Sequence, residues 1–129
     1  MARFRIARRA QTDFSIILAE SAEKWGAEAM RRYRAALIGG MLQVASDPEG
    51  KLTRERTDVR PDLRSFHLRH LRQGSRNLRV RRPAHVIYYR VIEPGFVEIV
   101  RVLHERMEPA RQFADEVVDP VTRRRGASC

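Results

Sequence analysis

Apolar positions in this chain change period twice, from two to about 3.6 and back to two. Residues 3–7 alternate, with Phe4 and Ile6 on one side and Arg3 and Arg5 on the other, which predicts a short half-buried strand. From about Arg9 the spacing lengthens. Phe14, Ile17, Leu18, Ser21 and Trp25 fall on one stripe of an amphipathic helix, with Thr12 and Asp13 in its first turn. Trp25 completes the stripe as a core residue or a helix-end anchor, and Gly26 supplies the stop, because glycine takes positive φ without a Cβ penalty. A second stripe follows at once: Met30, Tyr33, Leu37, Met41 and Val44, ended by Asp47-Pro48. So short a connection predicts an antiparallel helix hairpin. Gly39-Gly40 inside the second helix implies either close approach of a neighbour or a bend.

Residues 48–63 carry Pro, Gly and charge without a period and are expected to form a loop. Alternation returns at 64–71, with Phe66 and Leu68 facing in and His67 and Arg69 facing out. After a polar basic connection at 72–83, two β-rich runs at about 84–92 and 96–103 flank Pro94-Gly95, a hairpin signature. Residues 108–116 suit one or two helical turns with Pro109 in the first. The order is β-α-α-β-β-β: an α+β domain with a helix hairpin on one face of a small, largely antiparallel sheet. The other face is expected to be rich in Arg and His. Residues 1–116 are read as a single domain and 117–129, with Arg123-Arg124-Arg125, as a flexible basic tail.

Composition adds a compartment and a sign of charge. At 129 residues and 43% hydrophobic, one core is affordable without staples. A single cysteine, Cys129, cannot form an internal disulfide and suits a reducing compartment. No apolar run resembles a signal peptide or reaches the ~18 residues of a membrane span, so a cytoplasmic protein with no membrane partner is expected. There are 26 Lys+Arg against 16 Asp+Glu, giving +10, and only Lys24 and Lys51 are lysine. Such an excess draws polyanions or an acidic protein, with weak, nonspecific, salt-dependent nucleic-acid binding. Arg54, Arg56, Arg60 and Arg64 fit either a solvated rim or contacts to acidic groups of a partner. His67, His70 and His85 lack metal-ligand spacing, so neither metal nor cofactor is expected. Tyr88 and Tyr89 point to opposite sides of one strand, so one belongs to the core and the other is free to stack or pack on a partner.

The chain resembles the RelE/ParE superfamily of bacterial toxins over roughly residues 4–113. The likeness rests on Ala10…Asp13-Phe14…Ile17 and Trp25-Gly26 in the helices, then on Leu63 to His70 and His85 to Arg90 in the strands. Its strongest element is Ile99 to Glu108 followed by Ala110-Arg111, because an R-V-L-H-x-x-M-[DE] ending is characteristic of the ParE branch. The resemblance implies a toxin of a type II toxin–antitoxin system that inhibits DNA gyrase by binding. It also implies a ParD-like antitoxin with a ribbon-helix-helix DNA-binding domain and a tail that folds on the toxin. The partner-facing residues it suggests are Arg64, Arg69, Tyr89, Arg90, Arg101, His104, Arg106, Met107, Arg111 and Phe113.

The alternative is the RelE type, a ribosome-dependent mRNA endonuclease. That chemistry needs a base, a phosphate-binding cation and an acid. Here His104 is the candidate base, with Arg101, Arg106 and Arg90 as cations. RelE-type enzymes use lysines and usually a tyrosine just after the last strand. Lysine is nearly absent from this chain, and Phe113 stands near the tyrosine position.

Overall fold

The computed structural model describes residues 2–72 and 82–117, with side chains through Ala114. Most of the basic connection at 72–83, and the tail from 118 on, lie outside the described residues. The elements are β1 (Arg3–Ile6), α1 (Arg8–Trp25), α2 (Ala27–Ser46), β2 (Thr53–Glu55), β3 (Arg64–His67), a 3-10 turn (Leu68–His70), β4 (His85–Glu93), β5 (Phe96–His104) and α3 (Pro109–Val117). The five strands form one sheet in the order β1-β5-β4-β3-β2. All neighbours are antiparallel except β1 and β5, which run parallel with Arg3 opposite Phe96 and Ile6 opposite Ile99. The expected β-α-α-β-β-β order therefore holds, with one strand added.

The helix hairpin covers one face of the sheet as its stripes require. Ala10, Phe14, Ile17 and Leu18 of α1, and Tyr33, Ala36, Leu37, Met41, Val44 and Ala45 of α2, pack on Phe66, Ile87, Tyr89, Val97, Ile99 and Val102. Gly26 alone joins the helices at φ +94°, a backbone state that favours glycine. The glycine pair in α2 marks close approach. A Cβ on Gly40 would lie 2.9 Å from Ile87 Cδ1 and 3.0 Å from Leu68 Cδ1. Trp25 departs from expectation, being 74% exposed. Contact of α1 with the core ends at Leu18, about two turns earlier, so the tip of the hairpin overhangs the sheet.

The second face carries its own small core, which the hydrophobic pattern did not reveal. Leu63, Tyr88, Val100, Leu103 and Phe113 bury one another, flanked by Val59 and Val86. Both tyrosines are consequently buried, Tyr89 beneath the helices and Tyr88 against the Phe113 ring, 5.5 Å away and edge-on. A bulge makes this double use of β5 possible. Tyr88 opposes Arg101 while Tyr89 opposes Ile99, leaving Val100 as the extra residue. Val100 and Leu103 then serve the second face, while Ile99 and Val102 serve the first.

β2 was expected to be loop. Its three residues, Thr-Arg-Glu, are too few and too polar to show a period, and they pair only along the sheet edge with Arg64 to Phe66. The strand expected over 64–71 ends at His67. There the imidazole Nδ1 accepts the Arg69 N–H at 3.0 Å and turns the chain into the 3-10 segment.

Candidate functional site

An open cleft of about 760 Å³ lies on the sheet face away from the helix hairpin. Ser65, Val86 and Tyr88 contribute from β3 and β4, and Leu52, Arg54 and Arg56 from around β2. His67, Arg69 and His70 come from the end of β3, and Glu105 to Pro109 from the turn beyond β5. Strand alternation explains the selection. In β3, Phe66 faces the helices, so Ser65 and His67 face the cleft.

The cleft is predominantly cationic, and its charges differ in how they are held. Arg56 grips Asp58 through two bonds of 3.1 Å and lies 5.8 Å from the centre of the Tyr88 ring. The Asp58 hydrogen bond raises the Arg56 pKa and lowers that of the carboxyl. His67 is committed at both nitrogens. Nδ1 accepts from Arg69, so Nε2 carries the proton and donates to Glu105 Oε1 at 2.7 Å. That hydrogen bond holds the Glu105 carboxyl below its ordinary value. The His70 pKa is lowered by burial, with the nearby Arg69 charge acting in the same direction. By contrast, the guanidiniums of Arg54, Arg69 and Arg106 make no hydrogen bond or salt bridge among the described residues.

The ten residues expected to face a partner are distributed over several environments. Arg69, Arg106 and Met107 line the cleft, and Arg111 is exposed on α3. Arg64 projects on the helix side, donating to the Pro48 carbonyl at 2.9 Å and to Thr53 Oγ1 at 2.7 Å. Arg90 bonds Glu98 at 2.8 Å. Tyr89 and Phe113 are 0% and 1% exposed, and the Tyr89 hydroxyl donates to the Pro48 carbonyl. Both are core residues of the domain itself rather than surface available to a partner.

Arg101 is also internal, at 5% exposure. Its guanidinium donates to both carboxylate oxygens of Asp13, at 2.7 and 3.0 Å, and to the Gln112 carbonyl at 3.4 Å. The Asp13 carboxylate accepts in addition the backbone N–H of Val102 at 3.0 Å. β1 ends opposite Ile99, so this carboxylate closes the edge of β5 where strand pairing stops. Asp13 lies six residues into α1 and serves this contact rather than the helix start.

His104 stands on the helix side, away from the cleft. Its ring meets His85 edge-on with centroids 5.4 Å apart, and its Nδ1 accepts the Arg106 N–H at 3.1 Å. His85 Nδ1 and the Tyr33 hydroxyl share a hydrogen bond of 2.6 Å, and the same oxygen accepts the Ala84 N–H. Burial pushes the His85 pKa down to about 4, helped by His104, and pushes the Tyr33 pKa up to about 12. The four candidate nuclease groups are therefore not brought together: Arg101 is paired inside, Arg90 is bound to Glu98, and His104 and Arg106 serve different faces. His67, His70, Glu105, Arg54 and Arg56 join the cleft without having been singled out as site residues. The outward alternation of His67, the arginine run at 54–60 and the strand-end motif that contains Glu105 were their only signals in the sequence. Among the described residues no cluster of three or more His, Cys, Asp or Glu is placed to hold a metal ion, and no helix is long and apolar enough to cross a membrane.

Comparison with known proteins places this arrangement. The fold matches a chain from the chromosomal ParDE TA system from P. aeruginosa with a TM-score of 0.54 at 18% identity, covering 81% of this chain and 96% of that one. Toxin ParE1 of two Mycobacterium tuberculosis strains is 29% identical over 91 residues, 70% of this chain and 76% of the relative. The model of the ParE toxin of the type II toxin-antitoxin system parDE matches residues 4–109, nearly the whole described fold and the strand-end motif through Glu108. The chain belongs to the ParE family of type II toxin–antitoxin toxins.

Proposed function

We propose that this toxin inhibits DNA gyrase by binding, holding the enzyme on cleaved DNA, and acts in the cytoplasm without catalytic chemistry of its own. The dispersal of His104, Arg101, Arg90 and Arg106 supports this reading. A nuclease needs its base and its phosphate-binding cation within reach of one substrate. Here the base candidate stands on the helix side, and two of the three cations are held by Asp13 and Glu98. A ParD-like antitoxin, with a ribbon-helix-helix domain for DNA and a tail that folds on the toxin, is the proposed neutralising partner. The toxin domain is taken as residues 1–116.

Purified toxin added to gyrase and supercoiled plasmid tests the reading. The expected result is accumulation of linear, gyrase-dependent cleaved DNA, abolished by the product of the neighbouring antitoxin gene. Primer extension on actively translated mRNA is the counter-assay. Cleavage of translated mRNA together with unchanged gyrase activity would overturn the proposal in favour of the endonuclease.

A further inference from the structure

The cleft opposite the helix hairpin has a charge arrangement that folding does not consume. Arg54 stands on the edge strand, Arg69 on the 3-10 turn and Arg106 on the turn beyond β5. All three guanidiniums lie without a hydrogen bond or salt bridge among the described residues. The acidic residues here are fewer, two against four arginines. Glu105 is held by the His67 N–H at 2.7 Å, and Glu108 is exposed at the rim. Converging cations spread over three elements suit several linked anions better than one, since a single phosphate engages one fork or two.

Two kinds of polyanion compete for such a surface, an acidic peptide and a nucleic-acid strand. A peptide that folds on binding draws its affinity from apolar anchors seated in pockets. The cleft offers no such seat: its apolar floor, Val86 and Tyr88, is already packed against the second core. Its exposed apolar groups, Leu52 and Met107, are 51% and 46% accessible on separate elements. That pattern fits a strand with charged backbone inside and base faces at the rim. We propose that this cleft holds the phosphate backbone of single-stranded nucleic acid, with Arg54, Arg69 and Arg106 as the phosphate contacts. The inference is independent of the gyrase reading, because it concerns the toxin alone.

Fluorescence anisotropy with a labelled 12-nucleotide single-stranded DNA, without gyrase or antitoxin, tests it. The triple variant Arg54→Gln/Arg69→Gln/Arg106→Gln is compared with Arg8→Gln/Arg9→Gln/Arg34→Gln, which removes the same charge from exposed helix positions. The cleft variant should lose at least tenfold in affinity at 50 mM salt. Its slope of log affinity against log salt should shrink by about 2, since each single-strand phosphate contact contributes roughly 0.7. The helix variant should keep affinity within about threefold and keep the wild-type slope. Circular dichroism melting of both variants confirms that they are folded. Equal losses in the two variants would overturn the proposal, because only diffuse charge would then be acting. A 12-residue polyglutamate that binds as tightly as the oligonucleotide would overturn the choice of ligand class. Displacement of the strand by inorganic phosphate at equal phosphate concentration would reduce the cleft to an isolated anion site and also overturn it.

Discussion

Asp13 and Arg101, 88 residues apart, form a two-bond ion pair that joins the first helix to the last strand and, through the Gln112 carbonyl, to α3. Their side chains are 12% and 7% exposed. Removing one partner of a buried pair strands the other charge, at a cost of about 3–5 kcal/mol. Asp13→Ala is therefore expected to lower the stability in urea unfolding by that amount, and Arg101→Met by a similar amount. The double variant Asp13→Leu/Arg101→Met should recover part of the loss. A single variant within about 0.5 kcal/mol of wild type would show that the pair does not hold these elements together.

Gly39 and Gly40 are adjacent but should respond oppositely to alanine. A helix gains roughly 1 kcal/mol from Gly→Ala. At Gly39 the added methyl meets Leu71 at 3.4 Å, close to ordinary contact, so Gly39→Ala should raise the melting temperature. At Gly40 it meets two core side chains at 2.9 and 3.0 Å, and overpacking a dense core costs typically 1–3 kcal/mol. Gly40→Ala should melt below Gly39→Ala. The reverse order would mean that α2 does not press on Ile87 and Leu68.

His85 predicts an acid-sensitive window. Its folded pKa of about 4 lies below the ordinary 6.5, so the unfolded chain binds more protons between those values. Stability then rises with pH across the window and falls as pH drops from above 6.5 toward 4. Tyr33, His104, Glu105, His67 and Asp13 are the titratable groups around it. The lowered His70 pKa acts with the same sign, and so do the depressed Glu105 and Asp58 carboxyls, whose losses set in lower, from ordinary values of 4.5 and 3.8 downward. Thermal melts from pH 7 to pH 5 should show a declining midpoint that His85→Asn partly flattens. Identical slopes for variant and wild type would count against it.

His104→Ala should leave gyrase inhibition within about fivefold of wild type. Loss of a single contact is worth on the order of 1 kcal/mol. A proton-transfer role would instead cost roughly 10²–10⁴-fold in rate. The His104 ring contacts His85, so circular dichroism must confirm the fold before the dose–response curve is compared. A folded variant with no activity would contradict inhibition by binding.

Much of the architecture was legible because single stripes answer to single faces. Phe14, Ile17 and Leu18, then Leu37, Met41 and Val44, have the period of helices that bury one side, and they do. The Pro94-Gly95 hairpin is equally local, with Gly95 at φ +79°. What escaped depends on contacts between distant segments. Leu63 and Phe113 lie in stretches without a period, so nothing in their spacing signals that they roof the second face. Asp13 and Arg101 look like surface charges until the fold puts them together. Arg101 pairs across the sheet with Tyr88, but Asp13 and the Gln112 carbonyl hold its guanidinium inside, away from the partner expected to meet it. In the candidate site, Arg69, Arg106 and Met107 were marked by the strand-end motif and its neighbourhood. Arg54 stood out only as one of a run of arginines, because a three-residue edge strand has no pattern to read.

The parallel pairing of β1 with β5 also dictates when this protein becomes complete during synthesis. Phe4 precedes its neighbour in the sheet, Val97, by 93 residues. Until the final hairpin emerges, β1 has no strand to join, and Ala7 has no Ile99 carbonyl to receive its N–H. The Asp13 carboxylate likewise waits for Arg101 and the Val102 N–H. A long-range closure of this kind is slow and comes last. A chain cut short before β5 therefore loses the anchor of β1 and of α1 together.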